Sequence, residues 1–193
     1  MSAKWYDEQV KNNNYLSPIG FKFILEKAPK VSYLCQSVSI PEINLGDVKI
    51  PSPFLQYPIE GNITYGSLNL TFLVDEDMTN YLQMHNWIRA LGVPHDFTER
   101  ARFEDAVRYS GSDADRNIFS DGTLTVLTNS MNSNFDVQFV DLIPTSLSTL
   151  DFDATVSETE FFKANVSLVY SYYEIRKLNT SYRLADSVWY NDM

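Results

Sequence analysis

Residues 141–175 read DLIPTSLSTLDFDATVSETEFFKANVSLVYSYYEI, and the reading of this stretch decides the fold class. A short apolar segment runs into Pro144-Thr145, and Leu147 to Phe152 then alternates apolar with polar residues. After a polar turn, Ala164, Val166, Leu168, Tyr170 and Tyr172 fall on one parity, with Asn165, Ser167, Ser171 and the less polar Val169 on the other. Period two is the signature of a strand with one face buried and one wet. The spacing predicts one strand of roughly 30 Å or more at ~3.3 Å per residue, long for a globular domain.

The same period recurs upstream. Phe21, Phe23 and Leu25 alternate with Lys22, Ile24 and Glu26, and Ala28-Pro29 breaks the run. Residues 31–40 read as a second strand whose parity changes near Gln36, which calls for a bulge or for burial on both faces. Residues 43–50 form a third strand interrupted by Gly46, and the prolines at 51, 53 and 58 make residues 51–58 an extended loop. A short strand follows over 61–65. Then Leu68, Leu70, Phe72 and Val74 point inward and Ser67, Asn69 and Thr71 outward. The pattern switches after Asp75-Glu76-Asp77. Met78, Tyr81, Leu82, His85, Ile88 and Leu91 recur at helical spacing, widened by Met84 and Trp87, and Gly92-Val93-Pro94 is a stop signal. Residues 122–128 and 135–143 read as a hairpin around the turn 129–134.

The expected fold is therefore mainly β: an antiparallel sandwich or partial barrel with one inserted α-helix. Its domain spans 18–175, with an irregular charged insertion at 95–121. Polar arms flank it at 1–17 and 176–193. The arms and the insertion are expected to gain order only against a neighbour.

At 193 residues, with 44% hydrophobic and 21% charged residues, the chain supports one domain with an ordinary core. A net charge of −10 excludes nucleic-acid binding by a basic patch. It leaves open DNA passing nearby without sticking. One cysteine, Cys35, excludes an intrachain disulfide, and no apolar run is long enough to span a membrane. The first residues lack an apolar signal-peptide core. Four Asn-X-Ser/Thr triplets, at Asn62, Asn69, Asn165 and Asn179, read as chance in a Ser- and Asn-rich β protein.

Side chains able to do chemistry are few. Asp75-Glu76-Asp77 reads as charge at a helix start rather than a metal site. Asp151 and Asp153, and likewise Asp113 and Asp115, lack the glycine-turned loop of a calcium site. His85 reads as a hydrogen-bonded core histidine, His95 as a surface residue and Cys35 as a small buried hydrophobe. No phosphate loop or nucleophile elbow is present. No catalytic, metal or cofactor residue is therefore nominated, and the chain is not expected to be an enzyme. Tyr170, Tyr172, Tyr173, Phe161 and Phe162 could stack on sugars or bases, but core and subunit contacts are the commoner uses of such rings.

Taken together, Tyr33 to Pro41 after the opening strand, Ser67 to Asp77 before a helix holding Asn86-Trp87-Ile88, Leu142 to Thr145, Leu150 to Asp153 and Glu158 to Tyr173 resemble the tail tube proteins of contractile-tailed, T4-like bacteriophages. The order of these segments carries the resemblance, over residues 18–175. It implies the phage tail tube fold, shared with type VI secretion tube proteins, and a homo-hexameric ring that stacks on other rings. One sheet of each copy would continue around a barrel whose bore conducts genomic DNA without binding it. Candidate lumen-facing residues are Ser67, Asn69, Thr71, Asn165, Ser167 and Ser171. Candidate ring contacts are Trp5, Tyr6, Phe103, Tyr109, Tyr182, Trp189 and Tyr190. Sheath, baseplate or neck proteins would be the other partners. The place would be the virion tail, assembled in the host cytoplasm, without membrane insertion. The arms and the 95–121 insertion point beyond the bulk tube to a specialised ring at the baseplate or neck. The alternatives are a tube subunit of a type VI-like injection machine and a soluble sandwich that binds glycans.

Overall fold

The computed structural model describes residues 14–50, 54–92, 98, 102, 119–153, 155 and 161–178. Among them are nine strands and two helices: β1 (Phe21–Leu25), α1 (Pro29–Tyr33), β2 (Cys35–Val38), β3 (Ile43–Ile50), β4 (Tyr57–Tyr65), β5 (Leu68–Leu73), α2 (Thr79–Gly92), β6 (Ser120–Leu127), β7 (Ser133–Leu147), β8 (Lys163–Val169) and β9 (Tyr172–Lys177). Every strand pairing is antiparallel. The mainly β architecture expected from the period-two runs is what folds.

The longest strand is β7, at fifteen residues, and it belongs to both layers. Its first half pairs with β6 on one edge and β9 on the other, and β1 completes that layer beyond β6. Its second half pairs with β8, which leads on to β5 and then β2. The 164–175 run is thus not one long strand. It is β8 and β9, broken at Tyr170-Ser171 opposite Asp141, where β7 also changes layer. Asp141 adopts a φ of 58°, a left-handed conformation that costs a residue with a Cβ, and it marks the corner. Alternation could not show this corner, because Tyr170 and Tyr172 keep the parity of the strand before them.

Three further readings change. Residues 31–33 lie in α1, not in a strand: Pro29 opens the turn, where a missing N–H costs nothing, and Val31 is driven into the core. The bulge expected near Gln36 is present as a register shift between Cys35 and Ser37. Strand β4 begins at Tyr57 and includes Pro58, so the proline-rich passage ends sooner than expected. The buried stripe of α2 is Asn80, Met84, Trp87 and Ala90, with Leu82 outside. The bulk of Trp87 and Met84 sets the helix rotation in place of the Leu82–His85 row.

The core lies between the layers. Phe23 and Leu25 of β1, Leu68, Leu70 and Phe72 of β5, Val137, Phe139 and Leu142 of β7, and Ala164, Val166 and Leu168 of β8 are buried with Met84 and Trp87. Burying a side chain of Leu or Phe size is worth roughly 1.5–3 kcal/mol, so this cluster is the main stabilising mass. Asn80, fully buried, pins the helix to the sheet. Its Nδ2 donates to the Leu73 carbonyl at 2.7 Å, and its Oδ1 accepts from the Asp75 N–H at 3.2 Å.

Candidate assembly surfaces

The layer β7–β8–β5–β2 has one face in the core and the other in solvent, and the solvent face is mostly hydroxyls and amides, with Val169 exposed beside them. Register puts Asn69 opposite Ser167 and Thr71 opposite Asn165 on β5 and β8, and Ser37 of β2 opposite Thr71. These groups bond to one another. Thr71 Oγ1 donates to Asn165 Oδ1 at 2.7 Å, and Ser167 Oγ donates to Asn69 Oδ1 at 2.8 Å. Ser148 Oγ accepts from the Asn165 N–H at 2.9 Å, and Thr145 Oγ1 donates to the Ser167 carbonyl at 3.0 Å. Along these four strands the described polar face carries no carboxylate. Its one charge is Lys163, at the end opposite Leu73, so this face is close to neutral. The carboxylates lie elsewhere, among them Asp136 and Glu174 within β7 and β9 of the other layer and Asp47 and Glu60 on the hairpin β3–β4.

This layer ends in two unsatisfied edges. Among the described residues β2 pairs only with β5, and residues 143–147 of β7 pair only with β8. Four antiparallel strands place β2 and that half of β7 in opposite directions. An edge-to-edge joint between copies would therefore be antiparallel too.

The hairpin β3–β4 stands as a separate two-stranded sheet. At its root Tyr65 packs on Tyr170 and Tyr173 with ring centroids 5.9 and 5.5 Å apart, and Phe139 joins the same cluster. Beyond the root it is exposed on both sides, with Leu45 at 62% and Val48 at 57%. Its apolar side changes partway along. Ile43–Tyr65 and Leu45–Ile63 share one side, but after the register shift at Gly46 the apolar pairs Val48–Ile59 and Ile50–Tyr57 lie on the other. The backbones cross closely there: a Cβ on Gly61 would sit 2.7 Å from the Gly46 carbonyl oxygen.

At the opposite end of the β2–β5 pair lies an open groove of about 610 Å³. One wall is α1 and the start of β2, with Lys30, Tyr33 and Leu34. The other is the start of α2, with Asp75 and Asp77. Tyr33 is 89% exposed. Phe161 and Phe162 are exposed nearby, since the Phe162 carbonyl takes the Val74 N–H at 2.9 Å.

Of the residues nominated for the lumen, Asn69, Thr71, Asn165 and Ser167 come together on the polar face. Ser67 lies exposed just before β5. Ser171 leaves that set: it sits at the corner, its Oγ donating to Asp141 Oδ2 at 3.0 Å. The nominated ring contacts Trp5, Tyr6, Phe103, Tyr109, Tyr182, Trp189 and Tyr190 lie outside the described residues, as do Asp113, Asp115 and His95. Sequence reasoning missed Ser37, Ser146 and Ser148, which the part of β2 after its bulge and the chain running on past Pro144 add to the face.

No group of His, Cys, Asp or Glu among the described residues could hold a metal. Asp153 is instead the acceptor of a turn: Thr155 Oγ1 and N–H donate to its Oδ1 at 2.7 and 2.8 Å, and these bonds hold its carboxyl below the usual value. Asp75 accepts from Thr79 Oγ1 at 3.0 Å at the helix start. Burial pushes the Cys35 thiol up to about 11, partly offset by its bond to the Ser37 carbonyl, so it is protonated near neutrality. His85 departs from its reading, because its Nδ1 is buried without a hydrogen-bond partner among the described residues. No helix among the described residues is long and apolar enough to cross a membrane.

A two-layer antiparallel sandwich, with a hydroxyl-and-amide face between two open edges and a projecting apolar hairpin, belongs to the class of β proteins that have surface left to pair. A sequence profile of the phage tail tube protein family matches residues 8–176, and the chain belongs to that family. No curated protein sequence matches it. Among solved structures it is similar to the tube-terminating cap of the anti-feeding prophage (TM-score 0.61, 13% identity, covering 91% of this chain and 99% of that one). It is also similar to a chain of the sheath-tube complex of the extracellular contractile injection system PVC in its extended state (TM-score 0.58, 15% identity, 86% and 94%). A third is the sheath/tube terminator of the same system (TM-score 0.57, 17% identity, 86% and 99%). At these identities the likeness speaks for the fold.

Proposed function

We propose that the chain is a structural subunit of a contractile phage tail tube, or of a tube-like ring at its baseplate or neck. Six copies close a ring, and the layer β7–β8–β5–β2 of each continues into the next through the free edges of β2 and residues 143–147. Pairing those edges removes the aggregation hazard that exposed strand edges present. The polar face then lines the bore. The observation that carries this reading is the coincidence, on one layer, of two open antiparallel edges with a neutral face whose polar groups bond to one another. DNA sliding past such a wall meets few free donors and no fixed charge except Lys163. Sheath, baseplate or neck proteins surround the ring, the subunit does no chemistry, and its place is the virion tail, assembled in the host cytoplasm.

Native mass spectrometry of the purified full-length chain tests the reading. A hexamer, or multiples of one, is the expected species. A monomer at every concentration that supports assembly of other tube proteins contradicts it.

The likeness to injection-system structures favours a second reading, in which the same ring forms the tube of such a machine and protein cargo passes through it. Detection of the chain in purified DNA-filled virions by immunoblot supports the first reading, and detection only in particles without a capsid supports the second.

A further inference from the structure

Resting on the tube reading, we infer that the joint between neighbouring copies forms in a single register. Ser37 of one copy lies opposite Ser146 of the next, with Cys35 opposite Leu147 and Val38 opposite Pro144. The bulged residues Gln36 and Thr145 flank the serine pair, one on either side, and hold it there. Three observations carry this.

First, the two free edges read alike. On β2, Cys35 lies opposite Phe72 and Val38 opposite Leu70, on the core side, and Ser37 lies opposite Thr71 on the polar face. On β7, Pro144 lies opposite Leu168 and Leu147 opposite Val166, on the core side, and Ser146 lies opposite Ser167 on the polar face. Each edge therefore reads core, polar, core. Each also carries one extra residue just before its serine, Gln36 or Thr145, where the register shifts. Laid antiparallel, the edges match at all three positions. A slip of one residue would set core side against polar face throughout.

Second, the backbone groups agree. The Leu34 carbonyl takes the Leu73 N–H on the β5 side, and the Ser148 N–H donates to the Asn165 carbonyl on the β8 side. Backbone groups alternate sides along a strand, so those of Cys35 and Leu147 point off the free edges. Facing each other, these two residues exchange both N–H···O=C bonds. Ser37 and Ser146 are then the closer, non-hydrogen-bonded pair beside them.

Third, this register supplies a stagger. A polar row that enters one copy at Ser37 crosses Thr71 and Asn165 and reaches the far edge at Ser148. Ser37 of the next copy sits opposite Ser146 instead, so every joint steps the row in the same sense. A sheet closes into a barrel when its strands tilt and its pairing is staggered. A joint that set Ser37 against Ser148 has no step and gives no tilt. The serine pair also carries the hydroxyl face through the joint without a break.

Disulfide trapping in the full-length protein tests the register. In a Cys35→Ser background, Ser37→Cys is combined with Ser146→Cys or, as the unstaggered control, with Ser148→Cys, and circular dichroism checks that each variant folds. Within one copy Ser37 and Ser146 stand three strand spacings apart, roughly 14 Å, so any bridge joins two copies. On mild oxidation of the assembled protein, the Ser146 pair should form covalent multimers on non-reducing gels at least ~10-fold faster than the Ser148 pair, because diagonal positions lie beyond disulfide reach. Leu147→Cys in the otherwise unchanged chain should link to the native Cys35, a second readout that does not depend on the Cys35→Ser background. If the Ser148 pair links as fast or faster, the register is wrong and the tube reading stands. If neither pair links while native mass spectrometry shows hexamers, these edges do not make the joint and the register falls with them. If no hexamer forms, the tube reading fails and the register with it.

Discussion

Ser171 Oγ donates to Asp141 Oδ2 at 3.0 Å, across the point where β7 leaves one layer for the other and β8 gives way to β9. The Ser171 N–H also donates to the Val140 carbonyl at 3.0 Å, so side chain and main chain close the same corner. Ser171→Ala should cost about 0.5–1.5 kcal/mol in urea unfolding, the usual net worth of one hydrogen bond. Asp141→Ala should cost more, because it loses that bond and puts at a φ of 58° a residue that tolerates the left-handed region less well than Asp. Asp141→Gly should fall between them. A Gly variant less stable than the Ala variant would show that the backbone there is not strained.

Asn80 is the polar residue on which the helix position depends. In Asn80→Ala the Leu73 carbonyl and the Asp75 N–H lose a fully buried partner at the edge of the groove, so a loss of roughly 1–3 kcal/mol is expected. Asn80→Leu should not recover it, since volume is not what is missing. Thermal unfolding of both variants separates the cases: a stable Leu variant would mean that Asn80 acts by packing.

Gly61 faces the Gly46 carbonyl too closely to accept a side chain. Gly61→Ala should disturb the hairpin crossing and leave the core intact. Hydrogen exchange should show faster exchange in β3 and β4 with unchanged protection in β5 and β8, and ring formation should fall. Uniform loss of protection throughout would contradict the independence of the hairpin.

Tyr170 gives the fold an alkaline limit. Burial first, then the neighbouring phenols of Tyr173 and Tyr65, raise its hydroxyl from the usual 10.0 to about 12. The unfolded chain releases this proton near pH 10 while the folded chain keeps it. The contribution is therefore intact below pH 10 and lost as pH rises through 12. Tyr170→Phe should flatten that alkaline decline. Because the hydroxyl is buried without a partner among the described residues, the variant should also be neutral or slightly stabilising at pH 7. An unchanged decline in denaturation scans from pH 9 to 12 would assign the effect elsewhere.

Much of this was readable in the residues. Alternation in Phe21–Leu25 and Leu68–Leu73 found the buried faces, because each strand has one wet side and period two is then unambiguous. Asn69, Thr71, Asn165 and Ser167 were legible for the same reason, as the outer parity of two strands that prove to be neighbours. What alternation cannot report is a corner that keeps parity. Ser171 reads as part of the same face because Asp141 and Tyr170 bend the ribbon without shifting its period. Val31 looked like a strand residue because a single helical turn of five residues is too short to show its own period. The neutrality of the polar face was hidden as well. Net charge belongs to the whole chain, and only the register shows that the carboxylates collect elsewhere.

The central claim is that copies complete one another's sheet and turn the polar face inward. A cryo-EM map of the assembled protein tests it most directly. The account predicts β2 of one copy in antiparallel register with residues 143–147 of the next, and Asn69, Thr71, Asn165 and Ser167 facing an open bore. A map in which that face turns outward, or in which β2 is capped within its own subunit, would contradict it.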